Sequence, residues 1–141
     1  MRKRDRGKAQ VAANREEGLE YLAANRQKEG VVETASGLQY RILEPGDGRK
    51  PAGTDRVTVH YRATTIDGTV FDESYSSGEP AVLLVHRVVA VWAEALQLMR
   101  VGSKWQLVLP ANLGYGASPP PGASFGPDAV LLFEVELLAI E

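Results

Sequence analysis

Hydrophobic and polar positions change rhythm near residue 30. Residues 8–29 are a run of good helix formers, and the first thirty residues hold no proline and no β-branched residue except Val11. Gly30 is well placed to end a helix there. The apolar positions of this segment, Val11, Leu19, Tyr21, Leu22 and several alanines, make only a thin stripe. Such a helix has little to bury and is expected to project or dock lightly. From Val31 onward the pattern is one of short strands broken by turns. Residues 38–43 alternate loosely and stop at the turn cluster 44–48, which contains Pro45, Gly46 and Gly48. Residues 56–66 alternate over a longer run, with Val57, Val59 and Tyr61 on one face, and Asp67-Gly68 reads as a tight hairpin turn into residues 69–72. Residues 81–85 are a further short strand. One internal helix is predicted over 91–99, where Trp92, Ala95, Leu96 and Met99 share a face at i, i+3, i+4 and i+7. Residues 104–109 return to strand, 110–127 form a loop rich in proline and glycine, and 129–140 read as a last, continuously apolar strand.

These elements describe an α+β domain: a twisted antiparallel sheet of five to six strands wrapped around one short α-helix, with an N-terminal helical extension. A length of 141 residues suits one domain with a core of its own. We divide it into a helix and linker, 1–30, and a folded domain, 31–141.

Composition narrows the function by exclusion. A net charge of −2 predicts no broad nucleic-acid footprint. Residues 1–30 carry eight basic and five acidic side chains, and the basic cluster at the start reads as a solvated terminus. The absence of cysteine removes disulfides, thiol nucleophiles and thiolate metal sites. No apolar run approaches the ~20 residues that span a bilayer. The basic start is not followed by an apolar segment of the kind an export signal needs. The chain as given is therefore expected in the cytoplasm, or in the periplasm if it is a trimmed mature form.

The usual catalytic devices are also missing. His60 and His86 have no ligand-spaced partners, the serines lack a nucleophile-elbow context, and Gly114-Tyr115-Gly116 is not followed by the Lys-Ser/Thr of a phosphate loop. Asp72 and Glu73 are neighbours on a strand and point to opposite faces. No metal or organic cofactor is expected. What remains is a set of aromatics, Tyr61, Phe71, Trp92, Tyr115 and Phe133, with one acid, Asp72, in a sheet-rich span. Aromatics gathered around one acid suggest a concave apolar pocket and not hydrolytic or redox chemistry. Phe133 and Trp92 at strand and helix spacing also fit an ordinary core, and Asp72 an ordinary surface acid. Tyr115, between two glycines in a loop, has little core to join.

Six stretches make the chain recognisable: residues 57–61 (VTVHY), 66–72 (IDGTVFD), 94–99 (EALQLM), 101–105 (VGSKW), 113–116 (LGYG) and 132–138 (LFEVELL). Together they closely resemble the FKBP-type peptidyl-prolyl isomerases over about residues 31–141. Residues 14–18 (NREEG) and 36–40 (SGLQY) resemble the bacterial subgroup related to macrophage infectivity potentiator. The resemblance implies a folding-assisting isomerase acting on proline-containing polypeptides, with macrolides such as rapamycin as inhibitors. It implies that Tyr61, Phe71, Trp92, Tyr115 and Phe133 line the proline pocket, with Trp92 at its floor and Asp72 beside the rotating bond. Leu83, Val88 and Val89 then match wall positions, the Val89 N–H meets a substrate carbonyl, and Phe125 matches a residue in the loop over the pocket. In that subgroup a long helix joins a dimerisation region to the isomerase domain. Only the end of such a helix is recognisable here, so a monomer is expected, bound to neither membrane nor nucleic acid.

The chain departs from the family pattern at four places. Val91 and Ala63 stand where glycine is usual, Leu83 stands where a phenylalanine is usual, and the loop 117–126 is one residue longer and carries Pro119-Pro120-Pro121. A β-branched Val91 beneath the pocket is an overpacking risk of roughly 1–3 kcal/mol. The retained aromatics favour an active isomerase. The departures favour the alternative, an FKBP-like module that binds peptides with weak or absent isomerase activity.

Overall fold

A computed structural model describes the backbone of residues 3–88, 90–114 and 128–141, with side chains from residue 13 onward. Helix α1 (Lys3–Arg26) is followed by strands β1 (Val31–Glu33), β2 (Gln39–Glu44), β3 (Arg56–Thr64), β4 (Val70–Glu73) and β5 (Ala81–Leu84). Helix α2 (Ala90–Leu98) then precedes β6 (Lys104–Leu109) and β7 (Leu131–Ile140). Short 3₁₀ turns occupy Tyr75–Ser77, Val85–Arg87 and Ala111–Leu113.

The strands form one antiparallel sheet in the order β1-β2-β6-β7-β3-β4, with β5 pairing the first half of β3. The sheet has seven strands, not the expected five to six. The extra one, β1, spans three residues, too few for alternation to register, and is held by its pairing with β2. Helix α1 stops at Arg26, short of the expected Glu29. Turn hydrogen bonds from Gln27 to Ala24 and from Lys28 to Asn25 follow, and Gly30 takes the left-handed conformation (φ 80°) that leads into β1.

Alternation on β3 decides where the core sits. Val57, Val59 and Ala63 are fully buried on the inward face, while Arg56 and Arg62 are exposed. Helix α2 packs its Ala95, Leu96 and adjoining Met99 onto that face, against Leu107, Leu109, Val135 and Leu137. Full burial of each such Leu, Met or Val contributes roughly 1.5–3 kcal/mol. The turn at residues 65–69 closes the predicted hairpin: Gly68 (φ 87°) donates to the Thr65 carbonyl, and the Asp67 carboxylate accepts from the Thr69 N–H and the Thr65 hydroxyl.

Helix α1 lies on the other face of the sheet. Its Leu22 meets Val108 and Val130, which have the opposite strand parity to Leu109 and Leu131. Its end is fastened by buried polar groups. Asn25 Nδ2 donates to Gln39 Oε1 at 2.7 Å, while Gln39 Nε2 donates to the Leu22 carbonyl at 3.1 Å and to Glu33 Oε2 at 3.0 Å. Arg26 completes the group with an ion pair to Glu33 at 2.8 Å. Among the described residues no helix is long and apolar enough to cross a membrane.

Candidate active site

Past the reach of α2, the inward face of the sheet opens into a cavity of about 470 Å³. Tyr61 continues the inward set of β3 but stays half-buried, because part of its ring faces this cavity. Trp92, in the first turns of α2, stands edge-on to Tyr61 (centroids 5.7 Å, interplanar angle 89°) and to Phe133 (5.3 Å, 87°). Phe71 on β4 meets the Phe133 ring edge-on at 6.3 Å. Edge-to-face contacts set the positive rim of one ring against the negative face of the next. The rings therefore brace one another while leaving a concave apolar surface.

Register explains how these side chains converge. Ala63 on β3 is paired with Phe133 on β7 and with Asp72 on β4, so the three form one row across the sheet. Asp72 is exposed at the cavity edge and accepts a hydrogen bond from the Tyr61 hydroxyl at 3.0 Å. Leu83 and Val88 line the cavity as expected. Val91 is 4% exposed and belongs to the core cluster, while Trp92 beside it keeps both of its ring contacts. The predicted site residues Val89, Tyr115 and Phe125 lie outside the described residues.

Other lining residues were not anticipated. Leu109 and Leu131 are register partners, and Leu131 shares the parity of Phe133, a signal that strand alternation carries. Ala81 likewise shares the parity of Leu83 on β5. Arg87, Leu113 and Gly114 come from irregular segments, which give no periodic signal. Among the described residues, Asp72 and Arg87 are the charged side chains at the cavity wall, with the Tyr61 phenol and the Trp92 indole N–H as further polar groups.

His60 projects from the opposite side of β3. Its Nδ1 lies 2.8 Å from Ser74 Oγ, and its ring stacks on Tyr75 at 4.8 Å. Ser74 Oγ also accepts the Tyr61 N–H at 2.8 Å, so this histidine helps hold the backbone behind Tyr61. The nearby Tyr75 phenol has its pKa raised, first by burial and then by the carboxylate of Glu136. The cavity thus offers mostly apolar walls around a space of small-ring size, with one carboxylate at its edge. The positioned groups suit non-covalent binding of an uncharged group better than nucleophilic attack.

The profile of the family described as FKBP-type peptidyl-prolyl cis-trans isomerase matches residues 47–138. The chain belongs to this family. A second profile, the domain amino terminal to FKBP-type peptidyl-prolyl isomerase, matches residues 1–42. The chain is 55% identical over 124 residues to the FKBP-type 22 kDa peptidyl-prolyl cis-trans isomerase of Escherichia coli K12, covering 88% of this chain and 60% of that protein. It is 44% identical over 128 residues to the outer membrane protein MIP of Legionella longbeachae, covering 91% of this chain and 54% of that protein. This chain therefore spans little more than half the length of these two relatives. The likeness to MIP agrees with the subgroup suggested by residues 14–18 and 36–40. A crystal structure of a peptidyl-prolyl cis-trans isomerase from Pseudomonas syringae pv. tomato DC3000 is similar with a TM-score of 0.84 at 35% identity, covering 93% of this chain and 96% of that one. The FKBP fold of the chain accounts for the cavity: α2 crosses the concave side of the sheet and leaves its open end to the aromatics.

Proposed function

We propose that this chain catalyses cis–trans isomerisation of Xaa–Pro bonds in polypeptides, and that the aromatic cavity receives the proline ring. The observation that carries this reading is the set Tyr61, Trp92 and Phe133, mutually edge-on around an apolar cavity with Asp72 fixed at its edge. An Xaa–Pro bond isomerises over a barrier of about 20 kcal/mol because twisting the amide removes its resonance. The twisted amide is less polar than the planar one. A dry apolar wall therefore penalises it less than the ground state, without nucleophile, metal or proton transfer. Each tenfold acceleration requires only about 1.4 kcal/mol of such preference.

In this reading Trp92 is the floor under the proline, and Tyr61, Phe71 and Phe133 are its walls. Tyr115, Val89 and Phe125 join them as substrate contacts by family likeness. Asp72, held by the Tyr61 hydroxyl, offers a hydrogen-bond acceptor beside the rotating bond. Macrolides such as rapamycin compete for the same cavity. One observation favours a second reading, a peptide-binding module with little catalysis: the β5 wall is formed by the aliphatic Ala81 and Leu83, which grip a ring less closely than an aromatic would.

The deciding experiment is cis-to-trans relaxation of an Xaa–Pro tetrapeptide with micromolar protein, with and without rapamycin. Acceleration that rapamycin abolishes, and that Phe71→Ala or Asp72→Ala lowers at least tenfold in a folded protein, is the expected result. Full activity in both variants would remove the cavity assignment. Peptide binding without acceleration would establish the second reading.

A further inference from the structure

The wall of the cavity has a back. Leu113, Gly114 and Leu131 face the cavity, whereas their chain neighbours Pro110, Ala111, Asp128 and Val130 line a groove of about 410 Å³ against α1. The two chain stems also touch each other: a Cβ built on Gly114 would lie 3.2 Å from Leu131 Cδ1. Val130 is 3% exposed, and strand alternation points it toward α1 while Leu131 points into the cavity.

Two contacts of α1 press on this back. Gly18 is buried against Val130 so closely that an added Cβ would come 2.8 Å from Val130 Cγ2. Only a residue without a side chain fits, and the stiff χ1 of valine leaves Val130 little room to yield. One turn earlier, Arg15 Nε donates to Asp128 Oδ2 at 2.9 Å. Asp128 holds a left-handed backbone (φ 58°), uncommon outside glycine, at the point where the chain turns toward β7.

We propose that Gly18 and Arg15 of α1 are positioning residues for the cavity, acting through Val130 and Asp128 to fix Leu131, Leu113 and Gly114 on its wall. The inference rests on the reading of the cavity as the proline site. A site of this kind is sensitive to small displacements, since misplacement by ~1 Å can cost about a hundredfold in rate. A shift of Val130 reaches Leu131 through a single peptide unit. The Arg15 ion pair is largely exposed on the arginine side and so is the weaker of the two holds.

The test is tetrapeptide isomerisation by the full chain with KM and kcat separated. Alanine is a better helix former than glycine, but its Cβ crowds Val130, so Gly18→Ala is expected to stay folded with a thermal midpoint unchanged or lower. It is expected to raise KM about three- to tenfold by moving the wall, with kcat within about twofold. Adding Val130→Ala removes the opposing methyl groups and should return KM to that of the Val130→Ala single variant. Arg15→Ala should raise KM about twofold, and Arg15→Lys less. A folded Gly18→Ala protein with unchanged KM, or one whose defect Val130→Ala does not relieve, overturns the proposal while the site reading stands. A parent chain that neither accelerates isomerisation nor binds the peptide overturns the site reading, and this proposal with it.

Discussion

The two helices lie on opposite faces of one sheet and use their residues very differently. Helix α2 spans 9 residues and buries Val91, Ala95 and Leu96 in the main core. Helix α1 spans 24 residues, yet only Gly18, Leu22 and Asn25 are buried among those whose side chains are described. The difference teaches that the width of an apolar face, and not helix length, decides what a helix holds together. Helix α2 anchors the core and carries Trp92 to the cavity. Helix α1 rests on a small satellite cluster with Val108 and Val130 and is fastened by polar groups at its end.

Four measurements probe this contrast. The largest effect is expected for Leu96→Ala, because Leu96 is 1% exposed in the main core. A loss of about 2–5 kcal/mol in urea unfolding is expected, and a loss below 1 kcal/mol would break the comparison. Val91→Gly comes next. Lost burial together with glycine in a helix should cost about 2 kcal/mol, whereas a gain in stability would mean that Val91 is overpacked. Leu22→Ala should cost about 1–3 kcal/mol and act locally. Hydrogen exchange should quicken in α1 and leave β3 and β7 protected; uniform loss of protection would make α1 part of the main cooperative unit.

The smallest effect concerns acid. Hydrogen bonds from Arg26 and Gln39 hold the Glu33 carboxyl below its ordinary pKa of 4.5. Its stabilising contribution is therefore complete above that value and is lost as pH falls through the lowered one. The difference in thermal midpoint between the parent and Glu33→Gln should be constant near neutral pH and shrink below about pH 4. A gap that persists undiminished through strong acid would remove Glu33 from the fastening of α1.

Much of this architecture was legible in the residues, though unevenly. The face of α2 was clear because Trp92, Ala95, Leu96 and Met99 repeat at helical spacing, and the inward face of β3 because Val57, Val59 and Tyr61 alternate. The thin stripe on α1 foretold its shallow docking. Strand β1 was invisible, since three residues have no measurable period and their structure comes from pairing with β2. The roles of Phe71 and Asp72 came from resemblance, because one acid beside one aromatic fits many settings. Gly18 belonged to the stretch 14–18 that marked the subgroup, but nothing in the sequence pointed to its packing: the 2.8 Å approach to a residue 112 positions away is visible only in the fold.

The sheet order carries a consequence for how the chain is made. Strand β7 sits between β6 and β3 and joins the two halves of the sheet, yet it lies farther along the chain than every strand it joins. A ribosome therefore delivers both halves before it delivers the piece that unites them. Until residues 131–140 emerge, the edges of β3 and β6 that will face β7 stay open to any passing strand. A protein read here as a helper of other chains depends, during its own synthesis, on keeping those two edges unoccupied.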